Sequence, residues 1–156
     1  MIIDELVNKL ISNNKTISAM ESATGGALAN AITNISGSSC VLKFSAVTYS
    51  NEYKIKMGVK EEVIDKYSVY SFETADEMSF NIAKFSNSNY GVGITGKLNR
   101  IDKDNLYGDD DIVYISIYDK DNNKYYKKCI KVDKKSRVEN KKMVVTSVIE
   151  MMLGII

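Results

Sequence analysis

Lys15-Thr16-Ile17-Ser18-Ala19-Met20-Glu21-Ser22-Ala23-Thr24-Gly25-Gly26-Ala27 is the stretch from which the fold is read. Lys15 to Met20 is short, carries β-formers and reads as a buried strand. Glu21 to Gly26 is a polar, glycine-bearing turn, and Ala27 to Ile35 follows as a small-residue helix that Gly37 breaks. A buried strand turning directly into a helix predicts an α/β fold, with Ser22 at the strand end where such folds often place chemistry. Amides near Thr24, Gly25 and Gly26 would open the helix, where free N–H groups can hold a phosphate or a developing oxyanion. The same residues also suit a plain helix cap with glycines for packing. The G-x-S-x-G nucleophile elbow is absent.

Working outward, Ile2, Ile3, Leu6, Val7, Leu10 and Ile11 recur at helical spacing and predict a first helix. Val41 to Ser50 is rich in β-formers and predicts a second strand. Asn51 to Met57 and Glu61 to Tyr67 read as short helices on either side of Gly58-Val59. Ser71-x-x-Thr74 leads into a periodic segment that puts Ala75, Met78, Ile82 and Phe85 on one face. Tyr90 to Thr95 reads as a strand ending in Gly96. Ile112 to Tyr118 and Lys124 to Val132 alternate around Asp119-Lys120-Asp121-Asn122-Asn123, a hairpin signal that makes the sheet mixed. Val138 to Leu153 closes as a helix, with Val144, Val145, Val148, Met151 and Met152 available for burial. Helices interleaved with strands predict a layered α/β structure, and 156 residues suit a single domain spanning 1–156.

Composition narrows the function. The chain has 44% hydrophobic and 26% charged residues, ordinary for a globular protein. Its net charge of +1 gives no global field to draw in nucleic acid or an anionic membrane. No apolar run approaches the roughly 18 residues that span a bilayer, and the acid-bearing N-terminus does not read as a signal peptide. Cys40 and Cys129 match no metal-ligand spacing, so a cytoplasmic location with inert thiols is the expectation. Asp109-Asp110-Asp111 reads as a solvated turn in preference to a magnesium site, which needs converging ligands. The chain has no histidine, which rules out a Ser-His-Asp triad, a Cys-His pair and His-ligated zinc. It has no proline either, so its turns rest on Gly, Asn, Asp and Ser.

Without histidine, a serine nucleophile needs another base. Val47-Thr48-Tyr49-Ser50-Asn51-Glu52-Tyr53-Lys54 sets a strand end beside a short helix. Lysine can act as the base when burial or a nearby cation lowers its pKa, and Tyr49 could relay a proton or orient it. Residue by residue, Lys54 is equally a solvated surface charge and Tyr49 a packing residue.

Several segments taken together resemble one family. Glu21-Ser22-Ala23-Thr24-Gly25-Gly26 is similar to the E-S-x-T-G-G of the CinA C-terminal domain. Ser36-Gly37-Ser38-Ser39 is similar to its P-G-S-S without the proline, and Val47 to Lys54 to its V-T-Y-S-N-E-x-K. Met57-Gly58-Val59, Val69-x-Ser71-x-Glu73-Thr74-Ala75 and Gly93-Ile94-Thr95-Gly96 resemble further motifs in the same order. The resemblance implies a three-layer α/β/α sandwich with a mixed sheet, in a stand-alone form of the domain. It implies hydrolysis of the amide of nicotinamide mononucleotide to nicotinate mononucleotide and ammonia. It further implies Ser22 as nucleophile, Lys54 as its base, Tyr49 as an assisting hydroxyl, no metal or organic cofactor, and a homodimer. Thr24, Gly25 and Gly26 are the candidate oxyanion donors. Nothing in these residues points to nucleic-acid binding.

The chain departs from the family after Gly96, where the family continues T-G-I-A-G-P-G-G-G and this chain has Thr95-Gly96-Lys97-Leu98-Asn99-Arg100. A glycine loop offers amides to a phosphate. Lys97 and Arg100 could supply charge instead, or decorate a surface loop. Ala23 stands where the family often has cysteine. Arg137 falls where the family has an arginine opening its last helix, and the next basic position is Lys141; either could reach a substrate phosphate or simply decorate the helix surface, the reading favoured for Lys141. Two alternatives stand beside the deamidase: an amidase of the same dyad with another substrate, and a non-catalytic pocket for a nucleotide or partner protein.

Overall fold

The computed structural model describes residues 1–98, 109–134 and 136–156. In chain order its elements are α1 (Ile2–Ser12), β1 (Ile17–Glu21), α2 (Ala27–Thr33), a 3-10 turn (Ser38–Cys40), β2 (Leu42–Val47), α3 (Asn51–Lys56) and α4 (Glu61–Tyr67). Then come α5 (Phe72–Ser86), β3 (Tyr90–Gly96), β4 (Ile112–Asp119), β5 (Lys124–Lys131) and α6 (Arg137–Ile155). The sheet runs β2-β1-β3-β4-β5. Its first three strands are parallel, and the hairpin β4–β5 joins antiparallel to β3, so the sheet is mixed as the sequence predicts.

Three layers follow from which face each residue takes. Every residue of β1 is buried, as expected of a central strand covered on both sides. Ile17, Ala19, Val92 and Ile94 point toward α1, α2 and α6, whose Leu6, Leu10, Leu28, Val144 and Val148 complete that core. Met20 points to the other layer, with Met78 and Ile82 of α5 and Ile64 of α4. The layer of α5 sits very close to the sheet, because β3 carries glycine at both positions beneath it. A Cβ on Gly93 would lie 2.3 Å from the Ala75 carbonyl oxygen, and one on Gly91 2.1 Å from that of Ser79. Ala75, Met78 and Ile82 are buried as the periodicity predicts, but Phe85 is not. The buried face of α5 ends at Ile82 and Ala83, and Phe85 falls to its side and lies against the exposed ring of Phe44, 5.2 Å between centroids.

Both sheet edges are guarded. On β2, Lys43 is an extra residue: Ile17 pairs with Leu42, and Ser18 already pairs with Phe44. This bulge interrupts the edge ladder. On β5, Lys124, Lys127, Lys128 and Lys131 line the other edge, a charge pattern that discourages pairing with another strand.

Candidate active site

The C-terminal ends of β1, β2 and β3 meet at one edge of the parallel part of the sheet, the position where α/β folds gather ligands. Ser22 is the first residue past β1, and its N–H still donates to the Ile94 carbonyl of β3 at 3.0 Å. The chain then reverses sharply. Gly25 donates to the Ser22 carbonyl at 3.0 Å, and Gly25 and Gly26 take φ of +59° and +99°. Those left-handed angles suit residues without a Cβ.

Glu21 holds this turn in place. Its fully buried carboxylate accepts from the Thr24 hydroxyl at 2.6 Å and from the N–H groups of Leu28 and Ala29, each at 3.0 Å. Charge-assisted hydrogen bonds of this kind let a carboxylate survive burial. The first amides of α2, those of Leu28 and Ala29, are thus taken by the protein's own carboxylate, and they are not the Thr24, Gly25 and Gly26 amides that the sequence singled out. Of the three amides named from the sequence, that of Gly25 is committed to Ser22.

β2 contributes the second half. Beyond its last residue, the Thr48 N–H donates to the Glu21 carbonyl at 2.9 Å. Ser50 caps α3 by accepting the Tyr53 N–H at 3.3 Å, a favoured N-cap residue in its usual role. The short helix turns Lys54 inward, where only 2% of it is exposed. Lys54 Nζ lies 3.0 Å from Ser22 Oγ and donates to the Thr48 carbonyl at 2.7 Å. The structure thus brings Ser22 and Lys54 together, and the surface reading of Lys54 does not hold.

Tyr49 and Arg137 meet at the rim. Tyr49 is 63% exposed, and its hydroxyl accepts from Arg137 Nη2 at 3.2 Å. Arg137 opens α6, whose cap is the Ser136 hydroxyl accepting from the Glu139 N–H. One turn later, Lys141 Nζ lies 3.5 Å from where a Cβ on Gly25 would sit. The start of α6 therefore brings Lys141 over the Ser22 turn and Arg137 to Tyr49.

The end of β3 and the residue that follows it are placed differently. Thr95 is fully buried and donates to the Val69 carbonyl at 2.9 Å. Gly96 sits so close to β4 that a Cβ would lie 2.5 Å from the Ile112 carbonyl oxygen. Lys97 is only 4% exposed; its amine lies 3.4 Å from Asp110 and 5.0 Å from the centre of the Tyr70 ring. Both an acid and an aromatic face thus engage Lys97. Asp111 pairs with Lys131 at 3.4 Å, so two acids of the 109–111 run act as ion-pair partners. Arg100 and the rest of the loop substitution, 99–105, lie outside the described residues.

Among the described residues no three His, Cys, Asp or Glu side chains converge to hold a metal, and no helix is long and apolar enough to cross a membrane. A concavity of about 610 Å³ lined by Lys134, Glu139, Lys142, Met143 and Thr146 lies on another face of α6 and shares no residue with the Ser22–Lys54 pair. The sequence reading missed two residues. Neither Glu21 nor Thr48 has a role there, although both are matched positions of the motifs that carry the family resemblance, E-S-x-T-G-G and V-T-Y-S-N-E-x-K.

Across residues 1–156 the sequence matches the CinA C-terminal domain. The chain belongs to that family. A CinA-like protein of Endomicrobium trichonymphae is 50% identical over 88 residues, 56% of this chain and 21% of its own length. The matched part of this CinA domain thus spans about a fifth of that curated relative. Among solved structures, the competence/damage inducible protein CihA of Agrobacterium tumefaciens is 27% identical, with a TM-score of 0.85 over 99% of this chain and 95% of that one. A CinA superfamily protein of Escherichia coli shares the fold at 20% identity, with a TM-score of 0.89 over 99% and 88%.

Proposed function

We propose that this CinA domain is an amidohydrolase that deamidates nicotinamide mononucleotide. The observation that supports it is the buried Lys54 amine 3.0 Å from Ser22 Oγ, in a chain with no histidine to serve instead. In this reading Lys54 takes the Ser22 proton as Oγ attacks the amide carbon. The tetrahedral oxyanion is met by the amides of Thr24 and Gly26. Lys54 passes its proton to the departing amine, and ammonia leaves. Water then adds to the Ser22 ester, releases nicotinate mononucleotide and restores the serine.

The substrate phosphate falls to Lys141, beside the turn at Gly25, and to Arg137, which holds Tyr49. Arg137 also reaches the Tyr49 hydroxyl, so Tyr49 would assist by lining the rim. The test is ammonia release from nicotinamide mononucleotide by wild type beside Ser22→Ala. Turnover in wild type alone supports the reading; full activity in Ser22→Ala would overturn the mechanism.

One observation favours a second reading, an amidase of the same dyad acting on another substrate. Lys97, which replaces the start of the family's glycine loop, is engaged by Asp110 and Tyr70. Ammonia release across a panel of small amides and nucleotides separates the two.

A further inference from the structure

Thr48 joins the two halves of the dyad through its backbone. Its N–H is bound to Glu21, the residue before the serine, and its carbonyl to Lys54 Nζ. Its side chain is the anomaly. Among the described residues, Thr48 Oγ1 is the one buried side-chain polar atom with no hydrogen-bond partner, and the residue is only 2% exposed. A buried hydroxyl left unpaired costs free energy. Valine has the same shape, the same branching at Cβ and a good fit beside a strand, without that cost. The hydroxyl is attached a few covalent bonds from the carbonyl that grips Lys54, so it belongs to the immediate surroundings of the base.

We infer that the Thr48 hydroxyl receives the water that resolves the acyl-enzyme. The inference rests on the Ser22–Lys54 reading above. Thr48 Oγ1 accepts one O–H of the water, and neutral Lys54 removes the proton of the other as the water oxygen bonds to the acyl carbon. The Ser22 Oγ–acyl bond then breaks, Oγ takes the proton back from the Lys54 ammonium, and the free acid departs. The first half-reaction needs no water at that place, so the hydroxyl acts in the second half alone.

An activated ester isolates that half. The full chain is treated with p-nitrophenyl acetate, nitrophenolate release reports acylation, and intact mass follows the life of acetyl-Ser22. In Thr48→Val, acylation should stay near the wild-type rate while decay of the acetyl-enzyme slows roughly tenfold or more. Thr48→Ser should restore most of the decay rate, and the thermal midpoint of Thr48→Val should be unchanged or raised. Equal decay in wild type and Thr48→Val overturns the role of Thr48 and leaves the dyad standing. Equal slowing of both phases overturns it too, by making the hydroxyl a general support of the base. Absence of acetyl mass on wild-type Ser22 overturns the dyad reading and this inference together.

Discussion

Lys54 Nζ lies 3.0 Å from Ser22 Oγ across 32 residues of sequence, the serine just past β1 and the lysine on the short helix that follows its parallel neighbour β2. Methionine matches the length of the lysine stem without its amine. Lys54→Met should lose ammonia release by roughly 10²–10⁴-fold, the usual contribution of a positioned base. Its stability to urea should hold or rise, since a buried amine is removed. Steady-state kinetics beside an unfolding curve checks both, and a Lys54→Met enzyme at wild-type rate would remove lysine from the mechanism.

Tyr49 and Arg137 bridge two elements at the site rim. If they act as a unit on the substrate, Tyr49→Phe and Arg137→Ala should each raise KM. The double variant should add little to the larger single effect. A coupling of about 0.5–1 kcal/mol in a double-mutant cycle on kcat/KM is the expectation for so exposed a pair. Strict additivity would separate their roles.

Glu21 accepts from three donors inside the protein. Glutamine keeps one acceptor and turns an amide N–H₂ toward a group that itself donates. Glu21→Gln should cost about 1–3 kcal/mol in chemical denaturation. An unchanged midpoint would show that the cap contributes nothing.

The approach of α5 to β3 leaves no space for a methyl group at Gly93, where the Ala75 carbonyl oxygen would be 2.3 Å away. Gly93→Ala should destabilise by about 1–3 kcal/mol or more through overpacking. Gly154, with nothing near its added Cβ, is the control. Equal melting points for Gly93→Ala and Gly154→Ala would contradict the packing described.

Burial pushes the Tyr125 hydroxyl up to about 12, with nearby Tyr118 and Asp76 adding to the shift. Its folded pKa is raised above the ordinary 10.0, so the folded state favours the neutral phenol. The stability this confers is complete below pH 10 and is lost as pH climbs from 10 toward 12. Phenolate absorbance should show a late-titrating tyrosine that Tyr125→Phe removes. A titration identical in the two proteins would refute it.

Most of the architecture is legible in the sequence because periodicity reports local burial. The order of helices and strands, the hairpin around 119–123 and the strand–turn–helix bearing Ser22 all follow from local pattern. The second strand ends at Val47, short of the Ser50 expected, because Thr48 turns its carbonyl to Lys54 and Ser50 is taken as the cap of α3. What local pattern does not carry is partnership at a distance. Lys54 looks like any surface lysine until β1 lies beside β2. Lys97 looks like a loop cation until Tyr70 and Asp110 close on it. The contact of Tyr49 with Arg137 spans 88 residues and has no trace in either neighbourhood.

The bulge at Lys43 gives the edge strand slack. Upstream of it Leu42 is in register with Ile17, and downstream Val47 is in register with Glu21, one residue before the serine. A chain shortened by that single lysine could pair in both places and leave the serine and the base where they are. Length variation between relatives can therefore be absorbed at this point on the rim of the sheet, while the spacing from Val47 to Lys54 has no such tolerance.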